Sequence, residues 1–146
     1  MKNSRQEIGL ALLRIVIGGV FMAHGYQKMF GWGIHGVAGT FGQMGIPLPL
    51  LSAYLATFAE FFGGLALMVG FGTRIAAVPV AFTMLVAILQ VHLKGGFFLP
   101  SGMEYALTLL VANITLMIAG GGAFALENVV FGREEEARST AIRSAA

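Results

Sequence analysis

The chain has 146 residues, of which 57% are hydrophobic and 11% charged, with a net charge of +2 and a mean hydropathy of +0.81. Soluble domains carry about 25% charged residues, so a water-soluble fold would leave large apolar patches on its surface; the composition points instead to a protein embedded in a lipid bilayer. The absence of cysteine excludes disulfides, thiolate catalysis and Cys-ligated zinc or iron–sulfur centres, and basic residues scattered along the chain argue against a nucleic-acid partner.

A helix crosses the hydrocarbon layer in about 20 residues, and four segments approach that length. The first covers residues 8–30. Its apolar stretch is too long for a signal peptide and is interrupted by Arg14, His24 and Lys28, so it reads as a retained span. Arg14, Gly18, Phe21, Gly25 and Lys28 fall on one helical stripe, bordered by His24. The following segment carries a glycine at every third residue from Gly33 to Gly45. Without the matching prolines it cannot form a collagen helix, and a short interfacial segment with Val37, Phe41 and Met44 on one face is expected.

The second span covers residues 50–71 and holds a single acid near its middle, Glu60. A carboxylate at that depth costs about 2.5–3.5 kcal/mol on insertion scales, so Glu60 is expected to face the protein interior. Only Gly72, Thr73 and Arg74 separate this span from the third, residues 75–93, which predicts a tight antiparallel hairpin. The third span ends on Gln90 and His92, and Glu104 opens the fourth, residues 105–123.

Basic residues favour the cytoplasmic side of a span. Lys2, Arg5, Arg74, Arg133, Arg138 and Arg143 lie on one side, and Lys28 and Lys94 on the other. The expected architecture is all-α: an antiparallel bundle of four transmembrane helices with both termini cytoplasmic. Residues 1–132 form the membrane domain, and residues 133–146 a polar cytoplasmic tail.

Ionisable groups inside the spans are the candidate site. Counting 1.5 Å per residue from the outer face places Lys28 about 3 Å deep, His24 about 9 Å and Glu60 about 14 Å. Arg14 lies near the inner third, and its long side chain is expected to reach Glu60, with Gly18 and Gly63 letting the two backbones approach. His24, Lys28, Glu60, His92 and Glu104 all fall in the outer half. Simpler roles compete: Lys28 and Lys94 as snorkelling anchors, Glu104 as a charge at a helix N-terminus, and Trp32, Tyr26 and Tyr54 as belt aromatics. His35 is expected to be exposed. His24, His92, Glu60 and Glu104 lack a metal-binding spacing, so no metal is assigned, and no nucleophile–base pair, phosphate loop or dinucleotide fingerprint occurs.

The ordered series LLRIVIGGVFMAHGYQKMFG, GIPLP, AEFFGGLALMVGFGTR, VAILQVHLKGGFF, GMEYALTLL and GGGAFALENVVFG resembles the DoxX family of small four-helix bacterial membrane proteins, over about residues 8–132. The family pattern falls on Arg14, Gly18, Gly25, Lys28, Glu60, Gly63, Gly64, Gly70, Arg74, His92, Gly96, Phe97, Glu104 and Tyr105. It departs at Ala125-Leu126-Glu127, where the family often has serine–leucine–aspartate. The resemblance implies a multi-pass protein of the bacterial inner membrane with a place in redox physiology. Family members are linked with a thiosulfate:quinone oxidoreductase, with hydroquinone and catechol resistance, and with a complex containing superoxide dismutase and a sulfurtransferase.

The resulting expectation is a redox-accessory subunit that holds a quinone-like or lipid-like ligand in a polar pocket of Arg14, His24, Lys28, Glu60, His92 and Glu104. No electron carrier is encoded, so turnover would require an oxidoreductase partner; self-association is also open. Competing readings are a structural or assembly subunit without a ligand, a small proton-coupled transporter, and a self-sufficient enzyme.

Overall fold

A computed structural model describes residues 4–128 and residue 130. Helix α1 (Ser4–Tyr26) runs on as a π-helical turn, Gln27–Trp32. Helices α2 (Ile34–Gln43) and α3 (Pro49–Val69) follow. Helix α4 (Thr73–Ala87) continues through a π-helical segment, Ile88–His92, and a 3-10 turn, Leu93–Gly95; α5 spans Glu104–Ala119. No strand occurs among the described residues. Helix α1 packs on α3, α3 on α4, and α4 on α5, which returns to α1; α2 lies against α3.

Three helical runs, Ser4–Trp32, Pro49–Val69 and Thr73–Gly95, are long and apolar enough to cross a membrane. The fourth apolar segment is shorter than its sequence suggests. Helix α5 stops at Ala119 rather than continuing to residue 123, because Gly120 and Gly122 take φ values of 80° and 74° and turn the chain back. Sixteen residues give about 24 Å of helix, less than the roughly 30 Å hydrocarbon layer.

The molecule keeps large apolar side chains on its outside, Leu12, Ile75, Phe82 and Ile118 among them, around a core of Phe21, Leu67, Val80 and Leu116. Lipid chains are as apolar as leucine, so helices in a bilayer associate through close packing. Glycines supply it at the α1–α3 seam. A Cβ on Gly18 would stand 2.5 Å from Gly64 O and Met68 N, while one on Gly25 would strike the Phe61 backbone. Gly63 instead faces α4, where its Cβ would lie 2.6 Å from the Val80 side chain. The expected Gly18–Gly63 approach is therefore Gly18–Gly64: Gly63 sits one position round the helix and serves the next seam.

The glycine-repeat segment forms a ten-residue helix, α2. Each glycine costs roughly 1 kcal/mol of helix propensity relative to alanine. Burial of Val37, and of Ile46 just beyond the helix, offsets this. Phe41 is half-buried, whereas Met44 lies past the last helical residue and is exposed, so the expected three-residue face reduces to Val37 and Phe41. The α3–α4 hairpin is as tight as expected, turning through Gly70 (φ 77°) and Gly72 (φ 56°). The start of α1 and the end of α5 lie at the same end of the bundle, where Glu7 Oε2 accepts the Ala123 N–H. The tail at residues 133–146 falls outside the described residues.

Candidate functional site: a buried ion pair between α1 and α3

Along α1 the stripe of Arg14, Gly18, Phe21 and Gly25 is buried, as its spacing requires, and half-buried Lys28 follows on the π turn. Helix α3 answers with a buried row of Ala53, Thr57, Glu60, Gly64 and Leu67. Where the two rows meet, Lys28 Nζ donates to Glu60 Oε1 at 2.5 Å, the side chains being 16% and 3% exposed. Glu60 Oε2 and Thr57 Oγ1 are fully buried and have no hydrogen-bond partner among the described residues.

Glu60 thus pairs with Lys28 and not with Arg14. Arg14 turns toward the opposite end. Its Nε donates to Gly121 O at 3.1 Å, Nη1 to Met68 O at 2.6 Å and Leu67 O at 3.4 Å, and Nη2 to Phe124 O at 2.6 Å. The physical reason is the end of α3. Its last carbonyls lack intrahelical donors and carry the negative pole of the helix, so a planar cation with several N–H groups is held there more effectively than by one carboxylate. Glu127 also acts on Arg14 electrostatically.

The remaining predicted site residues divide differently. His24 is exposed, and its Nδ1 lies 2.9 Å from Val20 O of its own helix. His92 and Glu104 both hold the loop between α4 and α5: His92 Nδ1 stands 3.3 Å from Ser101 O, and Glu104 Oε1 accepts the Leu99 N–H at 2.7 Å. The expected six-residue pocket therefore resolves into the Lys28–Glu60 pair, a loop clamp, an outward-facing histidine and a distant arginine lock. Among the described residues no group of three or more His, Asp or Glu is placed to hold a metal.

Burial of four polar residues, Glu7, Thr57, Thr73 and Asn113, was missed in the sequence reading. Thr57 lies three positions before Glu60 on the same α3 row, a spacing that was visible. Asn113, fully buried in α5, donates from Nδ2 to Leu109 O at 2.8 Å and leaves Oδ1 without a partner. Its signal was a lone amide in an apolar run. An open cleft of about 440 Å³ lies at the Arg14 end of the bundle, lined by Gln6, Glu7, Gly9, Leu10, Leu13 and Ala119. It is not adjacent to the ion pair.

Comparison with known proteins places this arrangement. The DoxX family profile matches residues 9–93. The chain is 36% identical over 129 residues to "Putative oxidoreductase CatD" of Bacillus subtilis, covering 88% of this chain and 92% of that protein. It is 32% identical over 126 residues to an uncharacterized membrane protein of Mycobacterium tuberculosis, covering 79% and 77% of the two chains. The inner membrane protein YphA of Escherichia coli is 27% identical over 131 residues, covering 86% and 92%. No solved structure matches the chain. With its apolar helices, its α1–α3 seam and this set of relatives, the chain belongs to the DoxX family of membrane proteins.

Proposed function

We propose that the protein is a redox-accessory subunit of the bacterial inner membrane, with four spans and both termini cytoplasmic. In this reading it binds a quinone-like or lipid-like molecule at the Lys28–Glu60 pair, which lies toward the outer face. The carrying observation is an ion pair in an apolar bundle with one carboxylate oxygen unpartnered. Ionisable groups at such depth are expensive and mark working sites. An ammonium has three N–H donors, so Lys28 has more than its bond to Glu60 requires and can receive a carbonyl or phenolate oxygen. Two positions either side of Lys28, the Tyr26 and Phe30 rings, 4.9 Å apart, are exposed on the outside of the bundle.

Electrons would come from a partner protein, consistent with the oxidoreductase name of the Bacillus relative. The excess of basic residues at the termini and in the α3–α4 turn supports the orientation. A scaffold role is favoured by a different observation: the 440 Å³ cleft is at the Arg14 end, and both charged clusters tie helices together.

Native mass spectrometry of gently extracted protein, with thermal unfolding in a short-chain quinone, separates the two. The ligand reading expects a bound small-molecule mass and a stabilisation approaching ~2.7 kcal/mol at a hundredfold excess over Kd, reduced in Glu60→Gln and Lys28→Met. Co-purifying proteins with no small-molecule mass and no quinone-dependent shift would leave the scaffold reading.

A further inference from the structure

We infer that the cleft between α1 and the end of α5 holds one chain of an anionic phospholipid, with the lipid phosphate on Arg74. The inference stands whether or not the Lys28–Glu60 pair binds anything. Helix α5 stops at Ala119 beside Gln6, Leu10 and Leu13 of α1, and the chain folds back at Gly120 and Gly122. That flank of α1 is left open: a Cβ on Gly9, which lines the cleft, would meet nothing within 4 Å. The space of about 440 Å³ falls within the ~300–1,000 Å³ of small-molecule sites.

Leu10, Leu13, Gly9 and Ala119 offer water no side-chain partner, so in a bilayer an acyl chain is the better filling for this space. Lipid tails are as apolar as leucine, and the cleft walls therefore prefer no lipid over another. The preference comes from charge. Arg74 is exposed and has no hydrogen-bond or ion-pair partner among the described residues. Its Nε would lie 3.0 Å from a Cβ on Gly120, the residue that follows Ala119 of the cleft wall. It also stands in the first turn of α4, where Gly72 supplies no side-chain cap and the helix presents its positive pole. A guanidinium there can take a phosphodiester through two parallel N–H bonds. On the opposite wall the exposed Gln6 amide is a further donor.

The other charges at this end leave the role to Arg74. Glu7, the acid of the cleft wall, is 6% exposed and turns Oε2 to the Ala123 N–H. Arg14 is taken by four carbonyl oxygens, and Glu127 acts on it. Arg5, exposed just before Gln6, adds positive charge on the α1 side. A zwitterionic headgroup would bring a cation of its own against these arginines, whereas an anionic one brings only its phosphate. The chain is thus held by shape, and the headgroup is chosen by charge.

Native mass spectrometry of the full protein in mild detergent, titrated with dioleoylphosphatidylglycerol or dioleoylphosphatidylcholine, tests this. The expected result is a first phosphatidylglycerol bound about fivefold more tightly than phosphatidylcholine, the equivalent of ~1 kcal/mol for one basic side chain. Arg74→Gln removes the preference and Arg74→Lys keeps part of it; Lys94→Gln, at the far end of the same helical run, leaves it intact. Gly9→Leu puts a side chain into the cleft and weakens the first site for both lipids, while inorganic phosphate does not displace phosphatidylglycerol. Leucine suits a helix better than glycine, so Gly9→Leu tests the site even if Arg74→Gln folds poorly. Equal binding of the two lipids would overturn the inference, as would a preference that survives Arg74→Gln or falls equally in Lys94→Gln. Displacement by inorganic phosphate would assign Arg74 to a soluble anion, and binding indifferent to Gly9→Leu would take the chain out of the cleft. Either result overturns it too.

Discussion

At Glu60 one carboxylate oxygen meets Lys28 and the other has no hydrogen-bond partner among the described residues, and this asymmetry sets what substitutions do there. Removing either partner leaves an uncompensated charge in a nearly dry site, at a cost of about 3–5 kcal/mol. Lys28→Met with Glu60→Gln should cost distinctly less than the sum of the single changes. Unfolding in lipid or mild detergent measures this cycle, and strict additivity would argue that the pair contributes nothing. His24→Ala and His35→Ala touch only exposed side chains and should stay within about 0.5 kcal/mol of the parent. The inward orientation of Glu60 was legible from its place in an apolar run. Its partner was not. Counting an even α-helical rise left Lys28 and Glu60 about 11 Å apart in depth and made Arg14 look the better match. The register of the two helices, which sets Gly25 against the Phe61 backbone, brings Lys28 within reach of Glu60.

The seam between α1 and α3 is written in glycine, and the space around each residue separates those that matter. Gly25→Val or Gly64→Val would drive a side chain into opposing backbone. Each should cost at least the 1–3 kcal/mol typical of overpacking, and should loosen Lys28–Glu60 by parting the helices that carry it. Gly19, which has no heavy atom within 4 Å of a built Cβ, should accept alanine with unchanged or slightly raised helix stability. Melting temperatures of the three variants provide the comparison. Helix existence was legible from the lengths of the apolar runs, and the buried α1 stripe from its period. The early end of α5 was harder to see, because Gly120, Gly121 and Gly122 lie in a run whose neighbours are as apolar as the helix itself. Which of Gly63 and Gly64 met α1 depended on helix rotation, a quantity that one residue's difference in sequence does not fix.

For the whole molecule, the proposed orientation predicts that a cysteine introduced at position 40 reacts with an impermeant reagent in intact cells and one at position 140 does not; the reverse pattern would invert the assignment. The Arg14 lock predicts more. It joins α1 to the end of α3 and to the turn after α5 through four carbonyl oxygens. Arg14→Met should lower stability by about 3 kcal/mol or more, since several buried acceptors lose a charged donor, and should make residues 120–128 susceptible to protease. Lysine should rescue little, because a point charge cannot serve three directions. The same lock bears on how the chain is made. Arg14 lies in the earliest of the apolar helices, yet Gly121 O and Phe124 O belong to residues 107 and 110 positions later. At about 5–20 residues per second, synthesis of that interval takes on the order of 5–20 s. For the first half of it the first helix carries a cation with none of its native partners made, and for the rest only Leu67 O and Met68 O, 53 and 54 positions on, are available. Nascent chains should therefore hold this helix loosely, near water or an insertion factor, and seat it only as the last turn emerges. The final residues of the bundle then act as the latch that completes its first.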